Sequence, residues 1–252
     1  MKRKDVNLVV KRMDDKPAIE INGLTKSYGR TGVLRGLDLK LDWGEVITIL
    51  GSNGSGKTTL INIIGSLTKP DSGTVEVGGI GVRARATFVR RFIGVVTHEH
   101  LLYEHLTGYE NLRFHADLFG ISSADERITI VARQLGVEAR LNQLVGILSH
   151  GTQKRIAIAR ALLHDPPLLI MDEPESGLDQ EAQGMLDGVI RQLAESGCTV
   201  LTTTHNLDKG TAMSRRIAIL REGRIVYDED LKSSTGADGV KKAYASHSGE
   251  SM

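Results

Sequence analysis

A glycine-rich stretch in the first quarter of the chain has the composition of a phosphate-binding loop. The pattern G-x-x-x-x-G-K-[ST] is matched at every position by Gly51-Ser52-Asn53-Gly54-Ser55-Gly56-Lys57-Thr58. Glycines let backbone N–H groups converge on phosphate oxygens, Lys57 supplies a positive charge, and Thr58 supplies a hydroxyl for Mg²⁺. Because the loop follows an apolar run at residues 46–50 and precedes a helical pattern, the sequence predicts nucleotide binding.

A second apolar run ends in two carboxylates. Residues 168–171 are Leu, Leu, Ile and Met, and Asp172 and Glu173 follow them. A buried strand would deliver Asp172 to its carboxyl end beside the phosphates, where Asp172 could hold Mg²⁺ directly or through water. Glu173 could polarise an attacking water. A strand that ends in two acids is common in itself, but together with the phosphate loop it predicts hydrolysis rather than binding alone.

A third segment offers another helix start for an anion. The sequence LSHGTQKR at residues 148–155 precedes a predicted helix at residues 156–163, and Ser149 is a natural N-cap. One chain then carries two phosphate-binding helix starts about 90 residues apart. A single triphosphate rarely needs both from one chain, so a sandwich in which each subunit supplies one to the other's nucleotide explains the duplication. The alternative is an ordinary capped helix.

Hydrophobic periodicity indicates the elements that position these motifs. Apolar and polar residues alternate at residues 19–22 and 37–42, which predicts an antiparallel β patch. Residues 107–110 and 123–126 have capping-box spacing, so residues 101–163 are predicted to form an inserted helical subdomain. The predicted fold class is therefore α/β, a P-loop NTPase core with an antiparallel β subdomain and an inserted α-helical subdomain.

Composition excludes several functional classes. The 32 Lys and Arg residues nearly balance 31 Asp and Glu residues, and a formal net charge of +1 argues against a dedicated nucleic-acid binder. The single cysteine, Cys198, excludes an internal disulfide and a cysteine-rich zinc site. The apolar runs are far shorter than the ~20 residues that span a bilayer, and no signal-peptide core is present. We therefore expect a cytoplasmic protein whose membrane role comes through a partner.

Six segments together resemble the ATP-binding subunits of ABC transporters. Tyr28 matches the family's adenine-stacking aromatic residue, residues 51–58 match its Walker A loop, and residues 149–152 match its signature motif. Residues 168–173 match its Walker B strand, residues 176–179 match its D-loop, and His205 matches its switch histidine. The resemblance covers about residues 18–229 and implies an ABC ATPase type of core. The expected divisions are an N-terminal extension (1–17), the ATP-binding domain (18–232) and a C-terminal tail (233–252) that is either a short exposed helix or mobile.

The resemblance implies a role for each matched residue. Tyr28 would stack on the base of ATP, Lys57 and His205 would contact the γ-phosphate, and Glu173 would be the general base. Mg²⁺ would be held by Thr58 and Asp172. The γ-phosphate of the opposing subunit would be bound by Ser149 and Gly151, and Asp179 would couple the two sites. The implied catalytic residues are Lys57, Glu173 and His205. The implied nucleotide contacts are Tyr28, Gly51, Ser52, Asn53, Gly54, Ser55, Gly56, Lys57, Thr58, Thr59, Ser149, Gly151 and Asp179.

The sequence departs from the family pattern at two places. Where the family has a glutamine that touches Mg²⁺, this chain has His98. His98 is therefore a candidate for the metal site by position, but imidazole is a poor ligand for a hard cation such as Mg²⁺. We expect His98 instead to hydrogen-bond a water or the partner, or to be a loop residue whose hydrogen bonds are made by the backbone. The signature has His150 and Thr152 in place of the usual glycine and glutamine. Since Ser149 and Gly151 are kept, phosphate contact should survive.

The resemblance implies an ATPase subunit that dimerises around ATP, as a homodimer or heterodimer, and drives a separate integral membrane permease. The permease would dock on the helical subdomain and the loop at residues 98–110, on the inner face of the cell membrane. Residues 97–103, 110–114 and 202–207 also resemble the ATP-binding subunit of the haem exporter of cytochrome c maturation.

Two other functions remain open at this point. A non-transport ABC ATPase acting on DNA or ribosomes usually carries long coiled coils or two cassettes, and this sequence has neither. A monomeric P-loop kinase or GTPase is the other alternative, but it would give the motif at Ser149 no function.

Overall fold

The computed structural model describes residues 15–231 and 236–248. Residues 1–14 of the predicted N-terminal extension, residue 232 at the end of the predicted ATP-binding domain, and residues 233–235 and 249–252 of the predicted C-terminal tail lie outside the described residues. The strands are β1 (Ile19–Tyr28), β2 (Thr31–Leu41), β3 (Val46–Leu50), β4 (Ser72–Val77), β5 (Ile80–Gly81), β6 (Ile93–Val96), β7 (Leu168–Asp172), β8 (Thr199–Thr204), β9 (Arg216–Arg221) and β10 (Arg224–Asp230). The α-helices are α1 (Lys57–Ile64), α2 (Ala86–Val89), α3 (Gly108–Phe119), α4 (Ala124–Gln134), α5 (His150–Leu162), α6 (Gln180–Glu195), α7 (Leu207–Met213) and α8 (Gly236–Ser248).

A six-stranded sheet forms the centre of the fold, in the order β10-β9-β3-β8-β7-β6. All neighbouring strands run parallel except β10 and β9. Every residue of β3, β7 and β8 is buried, as expected for parallel strands covered on both faces. The register pairs Leu50 with Thr204 and Asp172 with Thr203, so the carboxyl ends of these three strands meet at one edge. The predicted α/β core is confirmed.

A four-stranded sheet in the order β2-β1-β4-β5 forms the predicted antiparallel patch. Its inward side chains, including Ile21 and Leu39, share one hydrophobic cluster with Leu60, Ile61 and Ile64 of α1. Burying apolar surface drives this contact. The sheet therefore packs against the helix that follows the phosphate loop and helps to hold it in place.

The helical region contains α3, α4 and α5, and its details correct two predictions. Thr107 forms the predicted capping box with Glu110. Ser123 makes no side-chain cap, because its backbone (φ −108°, ψ 53°) is outside the extended region that N-cap residues adopt. Helix α5 begins at His150 rather than at residue 156, because Ser149 caps it directly.

The C-terminal tail is neither a fully exposed helix nor an unstructured segment over its described part. Val240 of α8 is buried against Leu50, Ile217 and Ile219 of the central sheet. The hydroxyl of Tyr244 donates a hydrogen bond to the backbone oxygen of His205 at 3.2 Å. Helix α8 therefore packs close to the edge of the sheet where the predicted site residues lie.

Burial holds two histidines of the helical region in the neutral form. The ring of His164 stacks on Phe119 with centroids 4.0 Å apart, and burial lowers the pKa of His164 from 6.5 to about 4. Burial also lowers the pKa of His115 to about 4. Protonating either ring in the folded state is therefore unfavourable.

We expect His164 to make the fold less stable in acid. Below pH 6.5 the unfolded chain protonates His164, whereas the folded chain does so only near pH 4. The stabilising contribution is therefore complete above pH 6.5 and is lost as the pH falls toward 4. The loss amounts to about 2 kcal/mol between about pH 7 and pH 5.

His164→Phe keeps the aromatic stack and removes the titration, so its melting temperature should fall less between these two pH values. Circular dichroism melts measure the difference, and His105→Phe at an exposed position is the matched control. Equal acid sensitivity of His164→Phe and the unchanged protein would contradict the prediction.

Candidate nucleotide-binding and hydrolysis site

The phosphate loop connects the end of β3 to the start of α1 and requires glycine at two positions. A Cβ on Gly51 would lie 2.5 Å from Ser55 Oγ and 2.6 Å from the oxygen of Leu220. Gly56 is the N-cap of α1, and its φ of 111° is one that residues with a side chain rarely adopt. Close packing around Gly51 and the backbone conformation of Gly56 therefore explain why the loop has glycine at these two positions.

Lys57 lies inside this loop. Its Nζ donates hydrogen bonds to the backbone oxygens of Gly51, at 2.8 Å, and Ser52, at 3.1 Å. The hydroxyl of Ser55 is buried and has no hydrogen-bond partner among the described residues. An ammonium group and an unpaired hydroxyl in one glycine-rich loop fit a phosphate group.

A hydroxyl and a carboxylate meet beside the loop. Thr58 Oγ1 donates to Asp172 Oδ2 at 2.7 Å, and Thr203 Oγ1 donates to Asp172 Oδ1 at 2.6 Å. Hydroxyl and carboxylate oxygens are ligands suited to Mg²⁺, so Thr58 and Asp172 fit this ion. When bound, the ion would neutralise phosphate charge.

Glu173 lies between two predicted catalytic side chains. Its Oε1 is 3.4 Å from Lys57 Nζ and 3.2 Å from His205 Nδ1. Burial alone would raise the pKa of Glu173, but the hydrogen bond with His205 and the charge of Lys57 outweigh it and lower the pKa below 4.5. Glu173 is therefore ionised at neutral pH and can accept a proton. Its φ of 44° is strained for a residue with a side chain, a feature common at functional sites.

The fold thus brings together five of the residues singled out from the sequence: Lys57, Thr58, Asp172, Glu173 and His205. Asp172 ends β7, Glu173 and His205 directly follow β7 and β8, and Lys57 and Thr58 begin α1 after the loop that follows β3. The parallel register makes the carboxyl ends of these three strands neighbours. Ionised Glu173, with Lys57 and His205 alongside, is equipped to activate water near a phosphate group. The arrangement suits hydrolysis of a nucleotide phosphate.

Three other residues predicted to contact nucleotide, Ser149, Asp179 and Tyr28, make contacts within their own part of the chain. Ser149 caps α5 through Thr152, whose N–H lies 3.3 Å from the serine oxygen, and Asp179 caps α6 through the N–H of Ala182 at 2.8 Å. Tyr28 is 52% exposed at the end of β1, with Lys26 Nζ 5.4 Å from its ring centroid. The roles of these residues toward nucleotide stay predictions.

Gly151 and Thr59 are two further predicted nucleotide contacts. A Cβ on Gly151 would lie 2.9 Å from the oxygen of Gly177, so Gly151 packs closely on the predicted D-loop. Thr59 is half-buried in the first turn of α1. Neither position has a contact that tests its predicted role.

His98 is exposed just beyond the end of β6. Among residues 15–231 and 236–248, no group of three or more His, Cys, Asp or Glu side chains could hold a metal ion. The predicted metal contact of His98 stays a prediction.

Sequence reasoning missed two residues that support the site. Thr203 holds the Asp172 carboxylate, as described above. Lys154 is 1% exposed, and its Nζ lies 3.3 Å from the oxygen of Asp172 and 3.4 Å from that of Thr97. Burial lowers the pKa of Lys154, and Asp172, Glu175 and Glu173 partly oppose that shift. Two features of the sequence could have indicated these residues: Thr203 lies in a run of three threonines in a buried strand, and Lys154 lies on the buried face of a helix.

Comparison with known sequences decides the family. A family model described as "ABC transporter" matches residues 34–176, more than half of the chain. The chain belongs to the ABC transporter family. It is an ATP-binding subunit that binds ATP with Mg²⁺ and hydrolyses it in support of transport. The predicted fold class, enzyme class and cofactors are thereby confirmed.

Three relatives are 34% to 38% identical to this ABC ATPase. The linearmycin resistance ATP-binding protein LnrL of Bacillus subtilis is 34% identical, covering 88% of this chain and 73% of that protein. The daunorubicin/doxorubicin resistance ATP-binding protein DrrA of Streptomyces peucetius is 38% identical, covering 89% of this chain and 69% of that protein. The Nod factor export ATP-binding protein I of Rhizobium etli is 35% identical, covering 83% of this chain and 67% of that protein.

Solved structures agree with this assignment. The ATP-binding cassette MJ0796, a dimer in a post-hydrolysis state bound to ADP and Pi, has a TM-score of 0.80 at 30% identity, covering 85% of this chain and 99% of that one. CbiO1 from Clostridium perfringens, part of the ABC transporter complex cbiONQ, has a TM-score of 0.75 at 26% identity, covering 91% and 94%. Dimers and transporter complexes are thus found among the structural neighbours.

These names bear on the narrower predictions. They favour transport over action on DNA or ribosomes. The names of the three relatives refer to drug resistance and Nod factor export, and none mentions haem, so the haem-exporter resemblance gains no support. Within the described parts of the ABC ATPase, no helix has the length and apolar character needed to cross a bilayer.

Proposed function

We propose that this ABC ATPase energises the export of an organic compound through a separate membrane permease. The support is that relatives at 34% to 38% identity are named for antibiotic resistance or for Nod factor export. Haem is one narrower cargo, and it rests only on the resemblance of residues 97–103, 110–114 and 202–207. The subunit would lie on the cytoplasmic face of the membrane, held there by the permease.

We propose further that two copies, or one copy and a sibling chain, enclose two ATP molecules. Lys57, Glu173 and His205 already form one cluster within a single chain, whereas Ser149 is exposed and bonded to its own helix. The start of α5 has the geometry to bind an anion that another subunit presents. In this arrangement Ser149 and Gly151 contact the γ-phosphate held by the partner, Asp179 lies at the interface, and Tyr28 stacks on the base.

The permease would dock on the helical region near residues 98–110. Four apolar side chains in and near this region are exposed by 41% to 66%: Leu101, Tyr103, Phe114 and Leu118. Tyr103 and Phe114 pack edge to face with ring centroids 5.6 Å apart. An exposed apolar patch of this kind is typical of a protein interface. Replacing the loop with an unrelated one should uncouple the ATPase from the permease and leave nucleotide binding intact.

Mixing two inactive variants tests the shared site directly. Ser149→Asp keeps a good N-cap for α5 but places a carboxylate where the partner's phosphate would bind. Lys57→Met removes the ammonium from the phosphate loop. In a mixed dimer, one of the two sites carries both changes and the other carries neither.

We therefore expect each variant alone to hydrolyse ATP slowly and their mixture to exceed the sum of the separate rates. Phosphate release measures this, and the exposed Ser196→Asp substitution is the control for an added charge. A mixture no faster than its parts, or full activity of Ser149→Asp, would contradict the shared site.

A further inference from the structure

A cavity beside the antiparallel sheet lies apart from every residue assigned so far. It is open to solvent on one side and bounded by the C-terminal end of α1, strands β4 and β5 and the start of α2, and its volume is about 410 Å³. Pockets of roughly 300 to 1,000 Å³ typically hold small organic molecules. Ile63, Val75, Val82 and Ala86 supply apolar wall. The cavity therefore has the size and lining for a compact apolar group.

Cations outnumber carboxylates among the charged residues of the wall. Lys69, Arg83 and Arg90 line the cavity, together with one carboxylate, Glu76. Arg90 is committed to Ser66, with Nε 2.8 Å from Oγ and Nη2 3.0 Å from the backbone oxygen. Lys69 and Arg83 are exposed and, within the described residues, form no ion pair or side-chain hydrogen bond. Their charges are free to meet an anion.

The surrounding sequence strengthens this positive field. Residues 77–98 contain four arginines and no aspartate or glutamate, in a chain whose formal net charge is only +1. Arg83 and Arg90 line the cavity, whereas Arg85 and Arg91 belong to the same segment without lining it. Clustered charge of one sign at a concave surface attracts ligands of the opposite sign.

We propose that this cavity binds a small amphiphilic anion, a carboxylate or phosphate monoester on a short hydrocarbon or aryl body. The apolar wall buries the body, and Lys69 and Arg83 pair with the charged head, which the planar guanidinium can contact through two N–H groups. Glu76 repels a second negative charge, so one charged head per ligand is expected. The site is separate from the phosphate loop and from the proposed export function.

Octyl phosphate is a suitable probe, titrated calorimetrically below its micelle concentration with MgADP saturating the nucleotide site. We expect saturable binding of one molecule per chain, weakened by at least about tenfold in Arg83→Glu. Arg85→Glu is the matched control, because it makes the same charge change in the same segment outside the cavity. It should change the affinity by no more than about twofold.

A second variant removes space rather than charge. Gly81 lines the cavity, and a Cβ built there meets nothing within 4 Å, so Gly81→Val should fold normally and weaken octyl phosphate binding. Melting temperature checks the fold of each variant. The proposal is overturned if octyl phosphate does not bind saturably, or if 1-octanol binds as tightly. It is also overturned if Arg83→Glu and Arg85→Glu weaken binding equally, which would indicate a flat basic surface for anionic membrane instead.

Discussion

Replacing Glu173 with glutamine should lower the rate of ATP hydrolysis by about 10²- to 10⁴-fold and leave ATP binding in place. The Oε1 atom of Glu173 is 3.2 Å from His205 Nδ1 and 3.4 Å from Lys57 Nζ, and its lowered pKa keeps the carboxylate able to accept a proton at neutral pH. Glutamine has nearly the same shape but cannot accept that proton. Binding contacts therefore persist while the base is lost.

Phosphate release at saturating ATP measures turnover, and calorimetry measures the affinity for MgATP. Gel filtration with ATP adds a second readout, because a dimer that cannot hydrolyse its nucleotide should elute as a stable dimer. Glu195→Gln, at an exposed position near the end of α6, is the matched control and should behave like the unchanged protein. Normal turnover of Glu173→Gln would show that another group is the base.

Replacing Lys57 with methionine should weaken MgATP binding by about ten- to a hundredfold. The Nζ of Lys57 is held in the phosphate loop by the oxygens of Gly51 and Ser52, where it can meet phosphate oxygens. A hydrogen bond to a charged group contributes about 1.5 to 3 kcal/mol, which corresponds to that range of affinity. Losing this cation also removes one of the effects that lower the pKa of Glu173.

Calorimetric titration with MgATP tests this expectation, and Lys40→Met, at an exposed position in β2, controls for the loss of a surface charge. A thermal melt shows whether Lys57→Met remains folded, since Lys57 is itself buried. Unchanged affinity in a folded variant would mean that the loop does not bind the phosphates through this side chain.

Local patterns in the sequence predicted much of the core and its site. The mostly apolar runs at residues 46–50 and 168–171, which show no alternation, became β3 and β7, because strands covered on both faces need no polar side. The phosphate loop and the acids after β7 were recognisable because their chemistry depends on residue type and close spacing. Thr107 was recognisable as a cap for the same reason: its partner Glu110 is three residues away.

The incorrect and missing predictions have a common cause. Capping-box spacing suggested Ser123, yet its backbone conformation, which depends on packing of the whole connection, prevents the cap. The start of α5 was placed too late, because residues 149–155 contain no apolar side chain from which helical periodicity could be recognised. The contact of α8 with the central sheet depends on buried Val240, with Ala243 and Tyr244 packed beside it, and such sparse apolar residues in a mostly polar segment gave no clear periodicity.

By itself the sequence determined which residue types are available: a glycine loop around a lysine, an Asp-Glu pair after an apolar run, and a capped helix start at Ser149. Only the tertiary structure decided which of them meet. Pairing of Asp172 with Thr203 and of Leu50 with Thr204 brings Lys57, Glu173 and His205 to one edge of the sheet. Such pairing joins segments that are far apart along the chain, so no local pattern specifies it.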